Sequence, residues 1–478
     1  MGQSRLARVE LHIDLTGPRG HRDEIYRQIR AAILDGRIRA GDALPPTREL
    51  AQRLIVSRTT VSAAYDRLSA EGFLAGRIGA GTFVTSASPS RPLEPQADPA
   101  AGVAALPEWD ALPDPPRPFS AVPEFDFRPG IPDVGRFPFD TWRRLVTQRL
   151  RAAEAGLLTY GDPQGYPDLR AEISRHLGVS RDVRAGAGQV VVTSGAQQTT
   201  DLIARVLLRP GDVAAVEDPG YPPPRLALTA LGIRVAPVPV DAEGIVVSTI
   251  PPGTRLVYVT PSHQCPLGVS MSLTRRLELL EWAERNAAVL VEDDYDTEFR
   301  YSGRPLEPLH SFDSRGRVGY VGSFSKVLSP GLRLGFLVAP PSLVPALVKA
   351  KYLADWHAPN LEQAALAGFM AEGGFARHVR RLRKVYRERR ELLFRVLARD
   401  FTGVLTPVPS TAGLHLTATA ERDPGPVLQR ARQHGVRAGS LGNYCVGERR
   451  HGIVFGFGGI QAERIEPGLA CLRELWDA

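Results

Sequence analysis

Cysteine and long apolar runs are scarce in this chain of 478 residues. Its three cysteines, Cys265, Cys445 and Cys471, lie far apart, and neither they nor the ten histidines show the spacing of a metal site, so no metal is expected. Reduced thiols are the simplest interpretation. The sequence has no run of about 18 apolar residues, and its first residues lack the apolar stretch of a signal peptide. We therefore expect a cytoplasmic protein without a membrane span.

Lysine is also rare. The chain has only four lysines, Lys326, Lys349, Lys351 and Lys384, beside 55 arginines. Chemistry that needs a primary amine must use one of these four side chains. The net charge of +7 and the pI of about 9.5 are compatible with a nucleic-acid partner, although a mild excess of this kind does not establish one.

Proline is concentrated in one stretch that divides the chain. Residues 86–123 contain ten prolines in 38 positions, which disfavours a regular helix or a central strand and is typical of an extended linker. We therefore predict a first domain at residues 1–85, a Pro/Ala-rich linker at 86–124 and a second domain at 125–478.

The first block has the pattern of three helices followed by two short strands. Ile25, Ile29, Ala32 and Ile33 recur at helical spacing in "DEIYRQIRAAILDG", and Thr47 is the predicted N-cap of the second helix. The segment "SRTTVSAAYDRLSAEG" predicts a third helix, and "FLAGRIGAGTFV" predicts a hairpin. This order is typical of an α+β winged helix-turn-helix, although a small helical domain with solvated arginines has a similar pattern.

In a winged helix-turn-helix, the start of the third helix would meet DNA. Small hydroxyls there suit phosphates, and an arginine can bind guanine with two hydrogen bonds. The stretch "IYRQIRAAILDG" to "GAGTFV" resembles the GntR family of bacterial repressors over its whole length. That resemblance implies binding to double-stranded DNA through Arg48, Ser57, Arg58, Thr59, Thr60 and Gly79.

The second block surrounds one lysine with small hydroxyls, in "SFSKVLSPGLRLG". Such an amine suits a Schiff base with an aldehyde cofactor. The apolar strand in "AAVLVEDDYDTEFRY" ends in acids, so that Asp293 or Asp294 could meet a ring nitrogen and Tyr295 a ring oxygen. The helix start in "TSGAQQ" predicts a phosphate site at the backbone N–H groups of Ala196 and Gln197. Further predicted contacts are Ser323, Ser325 and Arg333 for polar groups and Tyr221 for the ring face.

This order of motifs resembles the fold type I aminotransferases that depend on pyridoxal 5'-phosphate, from "FDFRPGIPDVGRF" to the C-terminus. The resemblance implies a large, mainly parallel α/β sheet with a smaller C-terminal subdomain. It also implies that Lys326 forms the Schiff base, that Asp293 binds the pyridinium and that Tyr295 binds the ring oxygen. Tyr160 would reach the phosphate of a neighbouring subunit, so a homodimer is implied.

A GntR-type head and an aminotransferase-like body together resemble the MocR/GabR regulators, including the PdxR type that controls vitamin B6 synthesis. The resemblance implies a transcriptional regulator on two DNA half-sites whose body senses pyridoxal phosphate, an amine or an amino acid. The alternative is an active aminotransferase with an appended DNA-binding domain.

Three residues depart from the family pattern. Val454 stands where many relatives have an arginine for the substrate carboxylate, and Cys265 and Leu267 replace an aromatic and a small hydroxyl residue. Ordinary amino-acid transamination is therefore disfavoured, and the cofactor itself is the preferred effector. A long basic segment, "RHVRRLRKVYRERRELLFRVL", is better explained as a solvated helix face than as a second DNA site.

Overall fold

The N-terminal unit is built on three helices and a hairpin. The computed structural model describes residues 11–15, 20–77, 81–85, 104–115, 123–151, 155–303 and 307–477, and the chain divides into two units, Met1–Ala105 and Leu106–Ala478. The elements of the first unit are α1 (His21–Leu34), α2 (Thr47–Leu54), α3 (Arg58–Ala70), β1 (Leu74–Arg77) and β2 (Gly81–Val84). Ile25 and Ile29 of α1 pack against Val61 and Leu68 of α3, so the predicted helical periodicity forms the core.

One predicted helix start in this unit is wrong. Thr47 is the first residue of α2, and Pro46, in an extended conformation, occupies the N-cap position. Pro46 takes this position because its backbone is already extended and its missing N–H costs nothing there. The start of α3 does have a side-chain cap, because Ser57 Oγ accepts a hydrogen bond from the Thr60 N–H at 3.1 Å.

The predicted linker at 86–124 spans the division between the two units, but residues 86–103 and 116–122 lie outside the described ranges. Within the described part, one short helix, α4 (Pro107–Asp110), forms where no helix was expected. Pro107 is its first residue, the position where proline is compatible with a helix. The proposed domain boundaries therefore stay predictions.

The second unit contains an eight-stranded sheet. Its strands are β4 (Val190–Thr193), β5 (Val213–Asp218), β6 (Arg234–Asp241), β7 (Gly244–Ile245), β8 (Thr254–Val259), β9 (Val289–Asp294), β10 (Val318–Ser323) and β11 (Gly335–Val338). The order is β4-β11-β10-β9-β8-β5-β6-β7, with parallel pairing from β6 through β5, β8 and β9 to β10. This mainly parallel sheet confirms the predicted fold class.

Helices cover both faces of that sheet. They are α5 (Phe139–Arg151), α6 (Pro167–Arg181), α7 (Ala196–Leu207), α8 (Pro222–Ala230), α9 (Leu273–Arg285), α10 (Leu309–Phe312), α11 (Val344–Asp355) and α12 (Asn360–Ala371). Ala214 and Val216 of β5 join one apolar cluster, whereas Ala215 between them joins another. Because successive side chains of a strand point to opposite faces, the two clusters lie on opposite sides of the sheet. None of the described helices has both the length and the apolar character needed to cross a bilayer.

A second sheet forms the smaller subdomain. It contains β12 (Thr406–Pro407), β13 (His415–Thr419), β14 (Val436–Ser440) and β15 (Gly452–Gly456), which accompany α13 (Gly374–Asp400), α14 (Gly425–Gln433) and α15 (Ala462–Asp477). Its edge strand, β3 (Phe125–Phe127), comes from the start of the unit and pairs in parallel with β14. The subdomain is therefore not purely C-terminal, which the sequence pattern did not predict.

Candidate functional site

A cavity of about 230 Å³ lies beside the carboxyl ends of the parallel strands. Open α/β sheets bind their ligands at this edge because the loops that leave the strands converge there. The cavity wall includes most of the predicted contacts, namely Ala196, Gln197, Tyr221, Asp293, Tyr295, Ser323, Ser325, Lys326 and Arg333. The structure thus brings together residues that are far apart in the sequence, from Ala196 to Arg333.

Lys326 extends its amine into this cavity from the loop after β10. Its neighbours Phe324 and Val327 are buried and anchor the loop, and Lys326 Nζ donates a hydrogen bond to the Gly130 carbonyl oxygen at 2.8 Å. Burial lowers the pKa of the Lys326 ammonium, which favours the neutral, nucleophilic amine. A Cβ at Gly130 would lie 3.0 Å from Nζ, so glycine leaves the room that the amine needs. Gly130 was not predicted, because it lies far from the lysine in sequence.

Asp293 and Asp294, the last two residues of β9, point to opposite faces of the strand. Asp293 lines the cavity; its Oδ2 accepts a hydrogen bond from the Tyr258 hydroxyl. Asp294 Oδ2 instead accepts from Arg181 Nε at 2.9 Å and from the Tyr320 hydroxyl at 2.6 Å. The choice that the sequence left open is thereby decided in favour of Asp293 as the cavity residue.

Asp293 carries an unsatisfied group. Its Oδ1 is buried and has no hydrogen-bond partner among the described residues. Burial raises the pKa of Asp293 to about 7, and the nearby charge of Asp294 adds to this, although the Tyr258 hydroxyl opposes it. A buried carboxylate oxygen without a partner is costly. It fits the protonated ring nitrogen of a pyridine cofactor, which would supply both a donor and a positive charge.

The opposite end of the cavity can hold a phosphate. Gly195, with φ of +107°, precedes α7, so the first N–H groups of that helix, including those of Ala196 and Gln197, have no partner within it. Arg333 Nη2 donates to the Ser194 carbonyl oxygen at 2.7 Å, which holds the guanidinium beside the helix start. Helix N–H groups and a guanidinium together favour a dianion.

Two tyrosines complete the predicted set in the wall. Tyr221 immediately precedes α8, and burial raises the pKa of its hydroxyl, so the ring is neutral. The Tyr295 hydroxyl donates to the His263 carbonyl oxygen at 3.0 Å. Their positions are compatible with covering a ring and meeting a ring oxygen, but those roles stay predictions.

Tyr160 is not one of the described residues that line this cavity. It is 75% exposed and stacks on Trp356, with 4.2 Å between the ring centroids. Its predicted role in a neighbouring subunit's site remains a prediction, and its exposure leaves it accessible to another chain.

Several cavity residues were missed by sequence reasoning. His415 and Tyr444 come from the second sheet and its flanking turn, and no local motif marks them. Burial lowers the pKa of His415 to about 3, so it is neutral, and its Nε2 donates to the Pro266 carbonyl oxygen at 3.0 Å. Covariation between distant positions is the kind of signal that connects such residues.

The three departures from the family pattern have different positions. Val454 and Cys265 line the cavity, whereas Leu267 packs with Val454 in a small apolar cluster. Arg450 Nη2 donates to the Val240 carbonyl oxygen at 3.3 Å, and neither it nor Arg449 belongs to the described cavity wall. Arg333 is the arginine among the described wall residues, and it lies beside the start of α7, so no arginine of this wall takes the position that Val454 occupies.

The DNA-contact residues predicted in the N-terminal unit cluster at the start of α3. Ser57, Arg58 and Thr59 are exposed there, and Arg48 is exposed in the first turn of α2. The Ser57 hydroxyl lies 2.8 Å from Thr60 Oγ1 and caps the helix, so a phosphate contact would compete with capping. Gly79 lies outside the described residues.

Comparison with known families matches both units. Residues 21–84 match the bacterial regulatory proteins of the gntR family, and residues 132–421 match aminotransferase class I and II. The chain is 38% identical to the probable rhizopine catabolism regulatory protein MocR of Rhizobium meliloti, over 94% of this chain and 92% of that protein. It is 33% identical to the pyridoxine biosynthesis transcriptional regulator PdxR of Corynebacterium glutamicum, over 91% of each.

Solved structures resemble the second unit. The kynurenine aminotransferase of Pyrococcus horikoshii is 27% identical with a TM-score of 0.70, over 75% of this chain and 91% of that one. The α-aminoadipate aminotransferase LysN of Thermus thermophilus, complexed with N-(5'-phosphopyridoxyl)-L-leucine, is 29% identical with a TM-score of 0.67, over 73% and 91%. The second unit thus has the fold of these enzymes.

Asp293 predicts a pH-dependent stability. The pKa of Asp293 in the folded protein, about 7, exceeds the ordinary aspartate pKa of about 4, so the folded state holds the proton more tightly than the unfolded state. The contribution of Asp293 to stability is therefore full at low pH and is lost as the pH rises through about 7. Without bound cofactor, Asp293→Asn should therefore raise the melting temperature relative to wild type, and by more at about pH 8 than at about pH 5. Thermal melts of the two proteins measure this.

Asp294→Asn is the matched control. It removes a carboxylate that pairs with Arg181, so it should lower the melting temperature at both pH values. If the difference in melting temperature between Asp293→Asn and wild type does not change with pH, the raised pKa of Asp293 is contradicted.

Proposed function

This chain belongs to the MocR-type group of GntR transcriptional regulators, and we propose that its aminotransferase-like unit binds pyridoxal 5'-phosphate and reports its presence to the DNA-binding unit. Regulation of transcription follows from the family itself. The observation that carries the proposal is the buried, unpaired Oδ1 of Asp293 in the same cavity wall as the Lys326 amine.

Each part of the cofactor has a candidate partner. Bound pyridoxal phosphate would supply an aldehyde that reacts with amines and a ring that accepts electron density. Lys326 would offer the neutral amine, and Asp293 would hold the ring nitrogen. The N–H groups of Ala196 and Gln197, with Ser323, Ser325 and Arg333, would hold the phosphate. Tyr221 would cover the ring face and Tyr295 would meet the ring oxygen.

The charge distribution in the cavity supports the cofactor itself as the effector. In the described wall, Lys326 and Arg333 are the basic side chains that could pair with a carboxylate, since His415 is neutral. Both side chains would bind the cofactor, and the Val454 side chain has no hydrogen-bond donor for a carboxylate. An α-amino acid would therefore lack its usual anchor, whereas pyridoxal phosphate or an amine without a carboxylate would not need one.

The relatives support the same effector. PdxR is named for pyridoxine biosynthesis, and we extend that role to this chain as part of the proposal: it would control vitamin B6 genes. An active aminotransferase remains the second candidate, and the likeness to aminotransferase structures favours it. Steady turnover of an amino donor with 2-oxoglutarate would establish that alternative.

A homodimer is the third part of the proposal. Tyr160, Trp356 and Tyr352 form an exposed aromatic row, with 4.2 Å and 4.8 Å between successive centroids, and Leu353 beside them is 81% exposed. An exposed apolar group of this kind is typical of an interface. Tyr160 could then contact the phosphate bound by the partner subunit, and two heads would bind two half-sites.

The regulatory proposal predicts that pyridoxal phosphate changes the affinity for DNA. In a titration with a labelled fragment from upstream of the gene, the dissociation constant of the full-length protein should change by about fivefold or more when the cofactor is added. Lys326→Ala should remove the response, because the amine that holds the cofactor is absent. Lys349→Ala, which alters an exposed lysine, should respond like wild type. An unchanged wild-type affinity would refute the proposal.

The DNA-binding proposal assigns base recognition to Arg58. Arg58→Ala should reduce the discrimination between operator and random DNA by about 1–3 kcal/mol, because a bidentate arginine–guanine contact contributes that much. Arg48→Ala should weaken binding to both DNAs alike, since its expected contact is a phosphate. Fluorescence anisotropy at fixed salt measures both, and an equal loss on both DNAs for Arg58→Ala would show that it contacts only the backbone.

A further inference from the structure

A second concave site lies outside the cofactor cavity in the same unit. This cleft of about 540 Å³ is formed by the end of α6, the segment after β9 and the first half of α13. Five arginines line it: Arg181, Arg300, Arg380, Arg383 and Arg387. Like charges gathered in a recess repel one another, so this arrangement is costly unless something neutralises it.

The arginines are only partly neutralised by the protein. Arg181 pairs with Asp294, and Arg383 donates to the Glu298 carbonyl oxygen at 3.0 Å from Nε and 2.7 Å from Nη2. Arg300 Nε is buried and has no hydrogen-bond partner among the described residues. Burial lowers the pKa of Arg300, and the charge of Arg181 lowers it further. Within the described ranges, neither Arg380 nor Arg387 has a carboxylate within ion-pair distance.

One acid belongs to the cleft and does not cancel this charge. Glu298 Oε2 is buried and unpaired in the described structure, and burial, with a contribution from Asp294, raises the pKa of its carboxyl to about 7. At neutral pH it is partly protonated, and the protonated form could donate a hydrogen bond to an anion. His176, also in the wall, is neutral because burial lowers its pKa to about 4.

We propose that this arginine cleft binds a small phosphate-bearing anion. The planar guanidinium group donates two parallel hydrogen bonds to phosphate oxygens, and several such groups around one recess suit a ligand with more than one negative charge. A recess of this size suits a small molecule, whereas a DNA backbone is followed by an extended exposed surface. The unpaired Arg300 Nε and Glu298 Oε2 are polar groups that such a ligand, or its hydration water, would satisfy.

The cleft and the cofactor cavity share one strand end. Asp293 lines the cavity, and the next residue, Asp294, holds Arg181, which lines the cleft. The chain then continues from Tyr295 in the cavity to Thr297 and Glu298 in the cleft. An anion bound to the arginines would therefore act on Arg181, whose partner Asp294 is the sequence neighbour of the cavity residue Asp293.

The test uses full-length protein that has been saturated with pyridoxal phosphate and then freed of excess by gel filtration. Inorganic pyrophosphate is titrated into wild type and into the double variant Arg380→Gln/Arg387→Gln by calorimetry. The variant should bind about tenfold more weakly or worse, because two charge-assisted contacts are lost. Both side chains are exposed, so the fold should tolerate the change. Arg395→Gln, on an exposed position of α13 outside the cleft, should bind like wild type.

Two results would overturn the proposal. One is no binding of pyrophosphate to wild type, and the other is equal pyrophosphate affinity in wild type and the double variant. If the double variant with unchanged pyrophosphate affinity also loses operator affinity, the cleft is a DNA-backbone contact. The cofactor is bound first because an empty phosphate site in the cofactor cavity would also take up pyrophosphate and hide a difference at the cleft, whereas the substituted positions lie outside that cavity.

Discussion

The buried carboxylate of Asp293 is the constraint on which the cofactor site depends. One of its oxygens accepts a hydrogen bond from the Tyr258 hydroxyl, and the other has no hydrogen-bond partner in the described structure. Such a group is unfavourable in the free protein and becomes favourable only beside a donor that carries positive charge. The cavity therefore suits a protonated ring nitrogen, and its wall also contains the Lys326 amine and the groups that we propose for the phosphate. The binding energy of a cofactor would include the relief of this unpaired group.

The same strand end separates two kinds of chemistry. Because β9 alternates its side chains, Asp293 faces the cofactor cavity while Asp294 stabilises Arg181 on the other side. The arguments for sensing and against amino-acid turnover come from the same cavity. Its wall contains nine of the residues proposed to hold the cofactor, but it has Val454 where a carboxylate anchor is expected. A site that could hold the cofactor and lacks the expected substrate anchor suits a regulator better than an enzyme.

Local motifs predicted much of this site. Lys326, Tyr221, Ser323 and Arg333 were identifiable because each lies at or near the end of a strand or helix whose pattern is clear from sequence. The choice between Asp293 and Asp294 stayed open because the face of a doubly covered strand depends on which helices pack there. Gly130 and His415 reach the cavity from distant segments, and the pairing of β3 with β14 joins residues about 300 positions apart, so no local pattern encodes them. The error at Thr47 has a different origin, because a preceding proline took over the capping position.

The central claim is that the Lys326 amine, beside the unpaired Asp293, is where pyridoxal phosphate attaches. Reduction of the cofactor-treated protein with borohydride, followed by digestion and mass spectrometry, tests this directly because only four lysines exist. The account predicts a pyridoxyl label on the peptide that contains Lys326, at one label for each chain. A label spread over Lys349, Lys351 and Lys384, or no label at all, would contradict it.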